Sequence, residues 1–343
     1  MDLTWVGYQY AESDGYGKYS NRMIQALQRA GVNVTPCLPE HASMPAWMKR
    51  QVGIVPGALT ISCLPPYFLQ PPPSEGRHWL LSMTEGSELP LGWAETINVV
   101  GIERVIVPCE HNAIAFSQGV HAEVSVIPGG TDPQEFPVIE RDWRHAPYTF
   151  LALADRGARK GWNDVYSAFF KAFGADTPDV RLIIKALPGY NKLLEVMARA
   201  STLDPRIEIV TDAVASMRDL YAQADCFAIP SRCEGWGMPM REAAMCGLPA
   251  ITQRYSGMDD GHTDEWAITL ADGKLEKILP AGHIKGEWMA PNVDALAKAM
   301  YWCYMNPDTA WQKGQQAATW LRQNQTWDHA IAKLLKLIAE HGA

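Results

Sequence analysis

The chain has 343 residues, of which 47% are hydrophobic and 20% charged, and its formal net charge is −8. That length predicts two domains with hydrophobic cores, and 13 Trp, 12 Tyr and 8 Phe exclude a disordered or low-complexity chain. Residues 1–143 carry −7 of the net charge. The charge balance therefore does not favour nucleic acid or an anionic membrane as a general partner.

Signals for export or membrane insertion are not found in the sequence. No window is apolar over the roughly 18 residues that a membrane span needs, and the first residues lack the basic and apolar regions of a secretory signal. The seven cysteines are scattered without a C-x-x-C pair or a zinc-like spacing to histidine. We therefore expect reduced thiols, no transmembrane segment and a cytoplasmic location.

Short apolar runs alternate with amphipathic helical stretches, which is typical of an α/β fold. In the first part of the chain a helix is predicted at 19–30, and strands at 3–8, 32–36, 61–64, 78–83, 104–108 and 123–127. Five prolines in residues 64–76 predict a surface loop there.

A second alternating series begins near residue 148. Strands are predicted at 149–154, 180–185, 207–210, 226–229 and 250–253, and helices at 162–173, 190–200, 217–224 and 240–246. Residues 293–338 have helical periodicity with a break at 306–307. Two such series with a junction near 137–147 predict two Rossmann-like domains that face one another.

The segment 231–250 is the most informative part of the sequence. A strand is predicted to end at Pro230, a loop carries Glu234, and Pro239 opens a helix expected to reach Glu242 within its first turn. Helix N-termini favour anions, and α/β sheets bind ligands at the carboxyl ends of their strands. The amides expected to face such a ligand are those of Gly235, Trp236, Gly237 and Met238.

Two acids eight residues apart beside an amide-rich anion site are suited to sugar hydroxyls next to a diphosphate. On spacing alone, a helix-start acid at Glu242 and a solvated acid at Glu234 explain the pattern equally well. The pattern Glu234-x7-Glu242, however, resembles the retaining GT-B glycosyltransferases of the GT4 group. The resemblance continues at residues 126–132, 225–231 and 288–291, so it spans most of the chain.

This resemblance implies a GT-B fold, in which two Rossmann-like domains face a cleft and a final helix crosses back to the first domain. Residues 1–143 would form the acceptor domain, 144–325 the nucleotide-sugar donor domain, and 326–343 the helix that packs on the first domain. The resemblance also implies that Glu234 contacts the donor sugar near the reacting carbon and that Glu242 holds the ribose hydroxyls.

A second match lies at residues 154–162, between a strand and a helix. Basic side chains in such a loop can neutralise a pyrophosphate, although an ordinary solvated loop is the alternative. The resemblance implies that Arg156 and Lys160 have this role. The loop is one residue shorter than the commonest version, so Arg159 is an alternative to Arg156. As a loop residue, Lys160 is expected to be exposed.

Two segments of the first domain resemble loops that line the cleft. Gly15, Tyr16 and Gly17 form an incomplete dinucleotide fingerprint and are equally consistent with a tight turn. The resemblance implies that they lie in a loop whose backbone approaches the donor phosphate. Thr84 and Glu85 are expected to end a strand on the acceptor side, with a plain surface acid as the alternative. His111 is interpreted as a helix-start residue rather than a base.

The chain contains no Asp-x-Asp pattern, so no metal ligands and no cofactor are predicted. The predicted reaction moves a hexose-type sugar from a UDP-sugar or GDP-sugar to an acceptor hydroxyl, with retention of anomeric configuration. The predicted catalytic residues are Glu234, Arg156 and Lys160. The predicted donor-binding residues are Gly15, Tyr16, Gly17, Gly235, Trp236, Gly237, Met238, Pro239 and Glu242.

The acceptor is predicted to be a glycan, a small molecule or a protein. A glycosyltransferase that modifies DNA bases stays possible, although the net charge does not favour it. Two rival functions on the same fold are a nucleotide-sugar epimerase of the GT-B type, which lacks the paired glutamates, and a silent binding subunit. A dehydrogenase is disfavoured by the incomplete glycine fingerprint.

Overall fold

Short apolar runs bounded by turn residues form most of the strands of this protein. The computed structural model describes residues 1–8, 10–12, 14–37, 53, 55–72, 75–141, 146–154, 157–186, 191–278 and 284–341. The strands are β1 (Asp2–Gly7), β2 (Asn33–Cys37), β3 (Leu59–Cys63), β4 (His78–Leu81), β5 (Arg104–Val107), β6 (Glu123–Val126), β7 (Tyr148–Ala154), β8 (Val180–Ala186), β9 (Ile207–Val210), β10 (Cys226–Ile229), β11 (Ala250–Thr252), β12 (Ile268–Thr269), β13 (Lys274–Lys277) and β14 (Glu287–Ala290).

The helices form where apolar residues recur every three or four positions, so that one face is buried. They are α1 (Gly15–Arg29), α2 (Trp93–Val100), α3 (Glu110–Phe116), α4 (Trp162–Ala172), α5 (Asn191–Leu203), α6 (Met217–Tyr221), α7 (Met238–Met245), α8 (Val293–Met305), α9 (Pro307–Asn324) and α10 (Trp327–Glu340). Two short 3₁₀ turns lie at Pro66–Phe68 and Ser256–Met258. None of the helices in the described ranges is long and apolar enough to cross a membrane.

The first compact unit comprises Met1–Gly130, Ile278–Gly286 and Gln325–Ala343. Its parallel sheet has the order β2-β1-β3-β4-β5-β6. Helix α10 belongs to this unit and packs on α1, where the rings of Tyr19 and Trp327 meet edge to face at 4.9 Å. Arg29 and Asp328 form an ion pair at 2.8 Å beside this contact. The chain thus returns to its first unit at its C-terminal end.

The second unit comprises Thr131–Lys277 and Glu287–Asn324. Its parallel sheet has the order β12-β11-β10-β7-β8-β9, and β13 and β14 form a separate antiparallel hairpin. Alternate residues of the central strands are buried on opposite faces of the sheet: Phe150 and Ala228 lie in one cluster, Leu151 and Phe227 in the other. Burial of both faces is typical of a parallel sheet covered by helices.

The predicted fold class is confirmed: each unit contains a six-stranded parallel sheet with helices, as in a Rossmann-like domain. Two local expectations were wrong. Helix α1 begins at Gly15 rather than at residue 19, because Asp14 caps it by accepting a hydrogen bond from the Gly17 amide at 3.0 Å. Strand β4 ends at Leu81, so Thr84 and Glu85 lie in the following loop instead of ending the strand.

Candidate functional site

Three loops of the second unit leave the carboxyl ends of adjacent strands. In the sheet, β10 lies between β7 and β11. The loops after these three strands therefore lie at the same edge of the sheet, at residues 157–161, 230–237 and 253–258. The chain proceeds from β7 to β9 on one side and from β10 to β12 on the other. The topological switch point therefore lies between β7 and β10, which is where open α/β sheets bind ligands.

Glu234 lies at this edge with two basic side chains from the loop after β7. Its Oε2 accepts a hydrogen bond from Arg159 Nη1 at 2.9 Å, and its Oε1 accepts one from Lys160 Nζ at 2.7 Å. Glu234 is 5% exposed, and Arg159 and Lys160 are each 9% exposed. The three residues form a buried cluster with one negative and two positive charges.

Two opposing effects, burial and the nearby positive charges, determine the charge state of Glu234. Burial raises the pKa of its carboxyl group, but the positive charges of Arg159 and Lys160 outweigh this effect and bring the pKa to about 2. The hydrogen bond from Lys160 acts in the same direction. Glu234 is therefore a carboxylate throughout the neutral pH range.

The expectation that Lys160 is an exposed loop lysine was wrong, because its ammonium group is held inside the cluster by Glu234. Arg156 lies outside the described residues. The arginine that the structure places beside Glu234 is Arg159, whose Nη1 also donates to Cys233 O at 3.1 Å. The short loop thus presents two consecutive basic residues, Arg159 and Lys160, to the same carboxylate.

The loop after Glu234 leads directly into helix α7. Gly237 precedes the helix with a φ of +80°, and Pro239 lies at its beginning. A side chain at Gly237 would be strained at this φ. The helix begins at Met238, so Glu242 lies in its second turn rather than in the first, as the sequence had indicated. Gly235 and Trp236 are buried, whereas Met238 and Pro239 are half-buried.

Glu242 is 5% exposed and lies beside a tyrosine that sequence reasoning missed. Tyr221 Oη donates to Glu242 Oε2 and to Pro239 O, each at 3.2 Å. Burial raises the pKa of Tyr221, and the negative charge of Glu242 raises it further. The phenol thus keeps its proton and stays a hydrogen-bond donor to the Glu242 carboxylate.

Ser256 is a second residue that sequence reasoning missed. Its Oγ accepts the hydrogen bond of the Glu234 amide at 2.8 Å, and the Gly257 amide donates to Glu234 O at 2.9 Å. Ser256 has a φ of 53°, which is uncommon for a residue with a side chain and is concentrated at functional sites. Ser256 could have been identified from the sequence by its position in the turn after β11, which lies at the same edge of the sheet.

In the first unit, Gly15, Tyr16 and Gly17 form the first turn of α1 instead of a loop. The hydroxyl of Tyr16 lies 3.2 Å from Ser82 Oγ and 3.1 Å from both the amide and the carbonyl of Met83. The Tyr16 side chain therefore connects the start of α1 to the loop after β4.

Thr84 and Glu85 follow this contact in the same loop. The amide of buried Thr84 donates to Asn112 Oδ1 at 2.5 Å, and Glu85 is half-buried. His111 is the second residue of α3, as the sequence predicted, and its Nε2 lies 3.1 Å from Gly86 O. Burial lowers the pKa of His111, so its imidazole is mostly neutral at neutral pH.

Acidic, histidine and cysteine side chains do not gather into a group of three that could hold a metal ion anywhere in the part of the chain that the structure describes. The seven cysteines, all of which lie in the described ranges, form no disulfide bond.

The fold belongs to a known architectural class. The structure of sucrose-phosphate synthase from Thermosynechococcus elongatus matches 99% of this chain and 98% of its own with a TM-score of 0.71 and 15% identity. The structure of Anabaena HepE in complex with UDP matches 99% of this chain and all of its own with a TM-score of 0.76 and 12% identity. This chain therefore has the GT-B fold of those glycosyltransferases.

The sequence comparisons support a narrower class within that fold. Residues 149–306, which include the whole site of the second unit, match the family described as Glycosyl transferases group 1. D-inositol 3-phosphate glycosyltransferase from Mycolicibacterium vanbaalenii is 25% identical over 266 residues, which are 70% of this chain and 54% of that protein. Its counterpart from Gordonia bronchialis is 28% identical over 123 residues, 36% of this chain and 23% of that protein. The chain thus spans about half or less of these curated relatives.

Proposed function

We propose that this protein is a retaining glycosyltransferase that moves a hexose-type sugar from a nucleotide-diphosphate sugar to an acceptor hydroxyl, with no metal ion. The observation that carries the proposal is the buried contact of Glu234 with Arg159 and Lys160 at the switch point of the second sheet. A carboxylate next to two fixed cations provides separate partners for a sugar and for a departing diphosphate. The group 1 match over residues 149–306 supports the same reaction class.

In the proposed reaction the bond between the anomeric carbon and the donor phosphate oxygen breaks, and a bond to the acceptor oxygen forms on the same face. The acceptor proton goes to the departing phosphate. Arg159, Lys160 and the amides at the start of α7 stabilise the negative charge that develops on the diphosphate. Arg159, which the sequence offered as the alternative to Arg156, is proposed for this role because it lies beside Glu234. Glu234 orients the sugar and stabilises positive charge at its reacting carbon.

Glu242 is proposed to accept hydrogen bonds from the ribose hydroxyls, with Tyr221 holding its carboxylate in place. Among donors, a UDP-sugar is supported by the complexes of HepE with UDP and with UDP and glucose. The acceptor is proposed to be a glycan, a small molecule or a protein. No cofactor beyond the donor is proposed, and the cytoplasmic location stays a prediction.

The experiment that tests the proposal is a screen of donor hydrolysis with UDP- and GDP-sugars, with and without a chelator. We expect one donor to release its nucleoside diphosphate slowly in water and faster with an acceptor, at a rate that EDTA leaves unchanged. The anomeric configuration of the product is assigned by NMR. Tight binding without turnover would indicate a binding subunit, and an isomerised sugar still attached to its nucleotide would indicate an epimerase. Loss of activity in EDTA that is restored by magnesium would contradict metal independence.

A further inference from the structure

Arg241 is a charged residue inside the second unit that the proposed reaction does not use. It lies in α7, directly before Glu242, and is 0% exposed. Burying a charge is costly unless the surrounding groups compensate for it. The contacts of the Arg241 guanidinium therefore indicate the structural role of this residue.

The guanidinium donates hydrogen bonds to backbone carbonyls from two different loops. Its Nη2 donates to Gly257 O at 3.0 Å and to Asp260 O at 2.6 Å, and its Nη1 donates to Trp236 O. The planar group also lies 3.6 Å from the centre of the Trp236 ring, which is a close cation–π contact. Arg241 thus connects the loop at 235–237 with the turn at 257–260.

Both of these segments position Glu234. The Gly257 amide donates to Glu234 O at 2.9 Å, and the neighbouring Ser256 Oγ accepts the Glu234 amide. The two loops also pack tightly, because a Cβ atom at Gly257 would lie only 2.5 Å from Gly235 O. Any shift of the turn at 257–260 is therefore transmitted to the backbone of Glu234.

The charge of Arg241 is also close to the amides that open α7. A Cβ atom at Gly237 would lie 3.3 Å from Arg241 Nη1, so the guanidinium lies beneath the last residue before the helix. A positive charge at this place adds to the positive potential of the helix N-terminus. Both effects act where the proposed leaving diphosphate gains negative charge.

We infer that Arg241 is the positioning residue of this site: it fixes the loop of the helix start and, through the turn at 257–260, the backbone of Glu234. This inference rests on the proposed glycosyl transfer. Because Arg241 is 0% exposed, it acts through Glu234 and the loop amides rather than directly on the sugar or the diphosphate. Its loss lowers turnover more than it weakens nucleotide binding, because the carbonyls that it holds, those of Trp236, Gly257 and Asp260, belong to the two loops that position Glu234.

The test compares Arg241→Met with Arg322→Met, a matched control in the same unit. Arg322 is partly buried and, like Arg241, donates to backbone carbonyls: that of Met245 at the opposite end of α7, at 2.9 Å, and that of Phe136, at 3.3 Å. Three quantities are measured for each folded variant: kcat and KM with the donor that the wild type turns over, the Kd of the nucleoside diphosphate, and amide hydrogen exchange of residues 233–238.

For Arg241→Met we expect kcat to fall about ten- to hundred-fold, as misplaced reacting groups typically cause, while Kd changes by less than about three-fold. Exchange of residues 233–238 is expected to rise. Arg322→Met is expected to lose stability and keep kcat and loop exchange near the wild-type values. An Arg241→Met variant with wild-type kcat and unchanged loop exchange would overturn the inference.

Two further outcomes keep the inference separate from the proposed function. If Arg241→Met does not fold, Arg241→Lys decides the question. A single ammonium group cannot stack on Trp236 and reach three carbonyls, so kcat should still fall, and a wild-type kcat would refute the inference. If the wild type itself turns over no nucleotide sugar, the proposed function fails. The exchange of residues 233–238 in the two methionine variants then still shows whether Arg241 holds the loop.

Discussion

The two parallel sheets each have a topological switch point, and the side chains at the two points differ in kind. In the second sheet the loops after β7 and β10 bring together Glu234, Arg159 and Lys160, all charged and buried. In the first sheet, where the switch point lies between β1 and β3, the start of α1 is held by the neutral hydroxyl of Tyr16.

This difference indicates how each of the two units contributes to turnover in the proposed reaction. Fixed charges stabilise a transition state only if they are already in place when charge develops, and buried ion clusters provide that arrangement. A neutral hydrogen-bond network, like that of Tyr16 with the loop after β4, fixes shape without a strong field. We therefore expect substitutions in the second unit to affect turnover much more than those in the first.

The largest effect is expected for Glu234→Gln. The substitution keeps the size of the side chain but removes the charge that Arg159 and Lys160 share. We expect kcat to fall about 10²- to 10³-fold, as for loss of a group that stabilises a transition state. Steady-state kinetics with the turned-over donor measures this effect. Glu265→Gln, a change at an exposed acid of the same unit, is the control. Equal activity of the two variants would remove Glu234 from the site.

Lys160→Met is expected to affect both stability and turnover, because Lys160 is buried against Glu234 rather than exposed. Removing one member of a buried ion pair costs about 3–5 kcal/mol in unfolding free energy. The matched control is Lys171→Met, since the ion pair of Lys171 with Asp294 is exposed and such pairs contribute little to stability. Urea denaturation of both variants measures the difference. Equal midpoints would show that the buried cluster does not stabilise the fold.

The pH dependence of stability provides a related prediction. The pKa of Glu234 is lowered from its ordinary 4.5 to about 2 in the folded protein, so its carboxylate stabilises the fold above about pH 4.5. This contribution, about 3 kcal/mol, is lost as the pH falls from about 4.5 towards 2. Urea midpoints of the wild type and Glu234→Gln between pH 3 and 7 should therefore converge at acid pH. A constant difference would contradict the lowered pKa.

Glu242→Ala is expected to weaken nucleotide binding. If the carboxylate accepts hydrogen bonds from the ribose hydroxyls, its loss lowers the binding free energy by about 1.5–3 kcal/mol. This corresponds to a rise in Kd of about 10- to 150-fold. Calorimetry with the nucleoside diphosphate measures this, and Tyr221→Phe should give a smaller effect in the same direction because only the support of Glu242 is lost. An unchanged Kd in folded Glu242→Ala protein would exclude the ribose role.

The smallest effect is expected for Tyr16→Phe in the first unit. The variant loses the neutral hydrogen bonds to the loop after β4, each worth about 0.5–1.5 kcal/mol. We expect thermal unfolding to shift slightly and kcat to stay within about ten-fold of the wild type. A loss of turnover as large as that of Glu234→Gln would show that the contrast between the two units is wrong.

The sequence by itself determined the order of the strands from β1 to β11 and the segment that carries Glu234 and Glu242. Apolar runs and helical periodicity are local properties, and they placed the strands from β1 to β11 to within a few residues. The spacing of Glu234 and Glu242 around Pro239 indicated the strand–loop–helix unit that carries both acids. These features could be predicted because each depends on residues close together in the chain.

The tertiary structure decided which side chains meet. Arg159, the alternative that the sequence offered to Arg156, faces Glu234, and Lys160 is buried, because the loop after β7 lies beside the loop after β10. The Ser256 hydroxyl accepts the Glu234 amide, and Arg241 donates to the carbonyl of Gly257 in the same turn. Such contacts join residues distant in sequence, and hydrophobic periodicity contains no information about their partners. The order of the strands in the folded sheet brings the loops that carry these residues to the same edge.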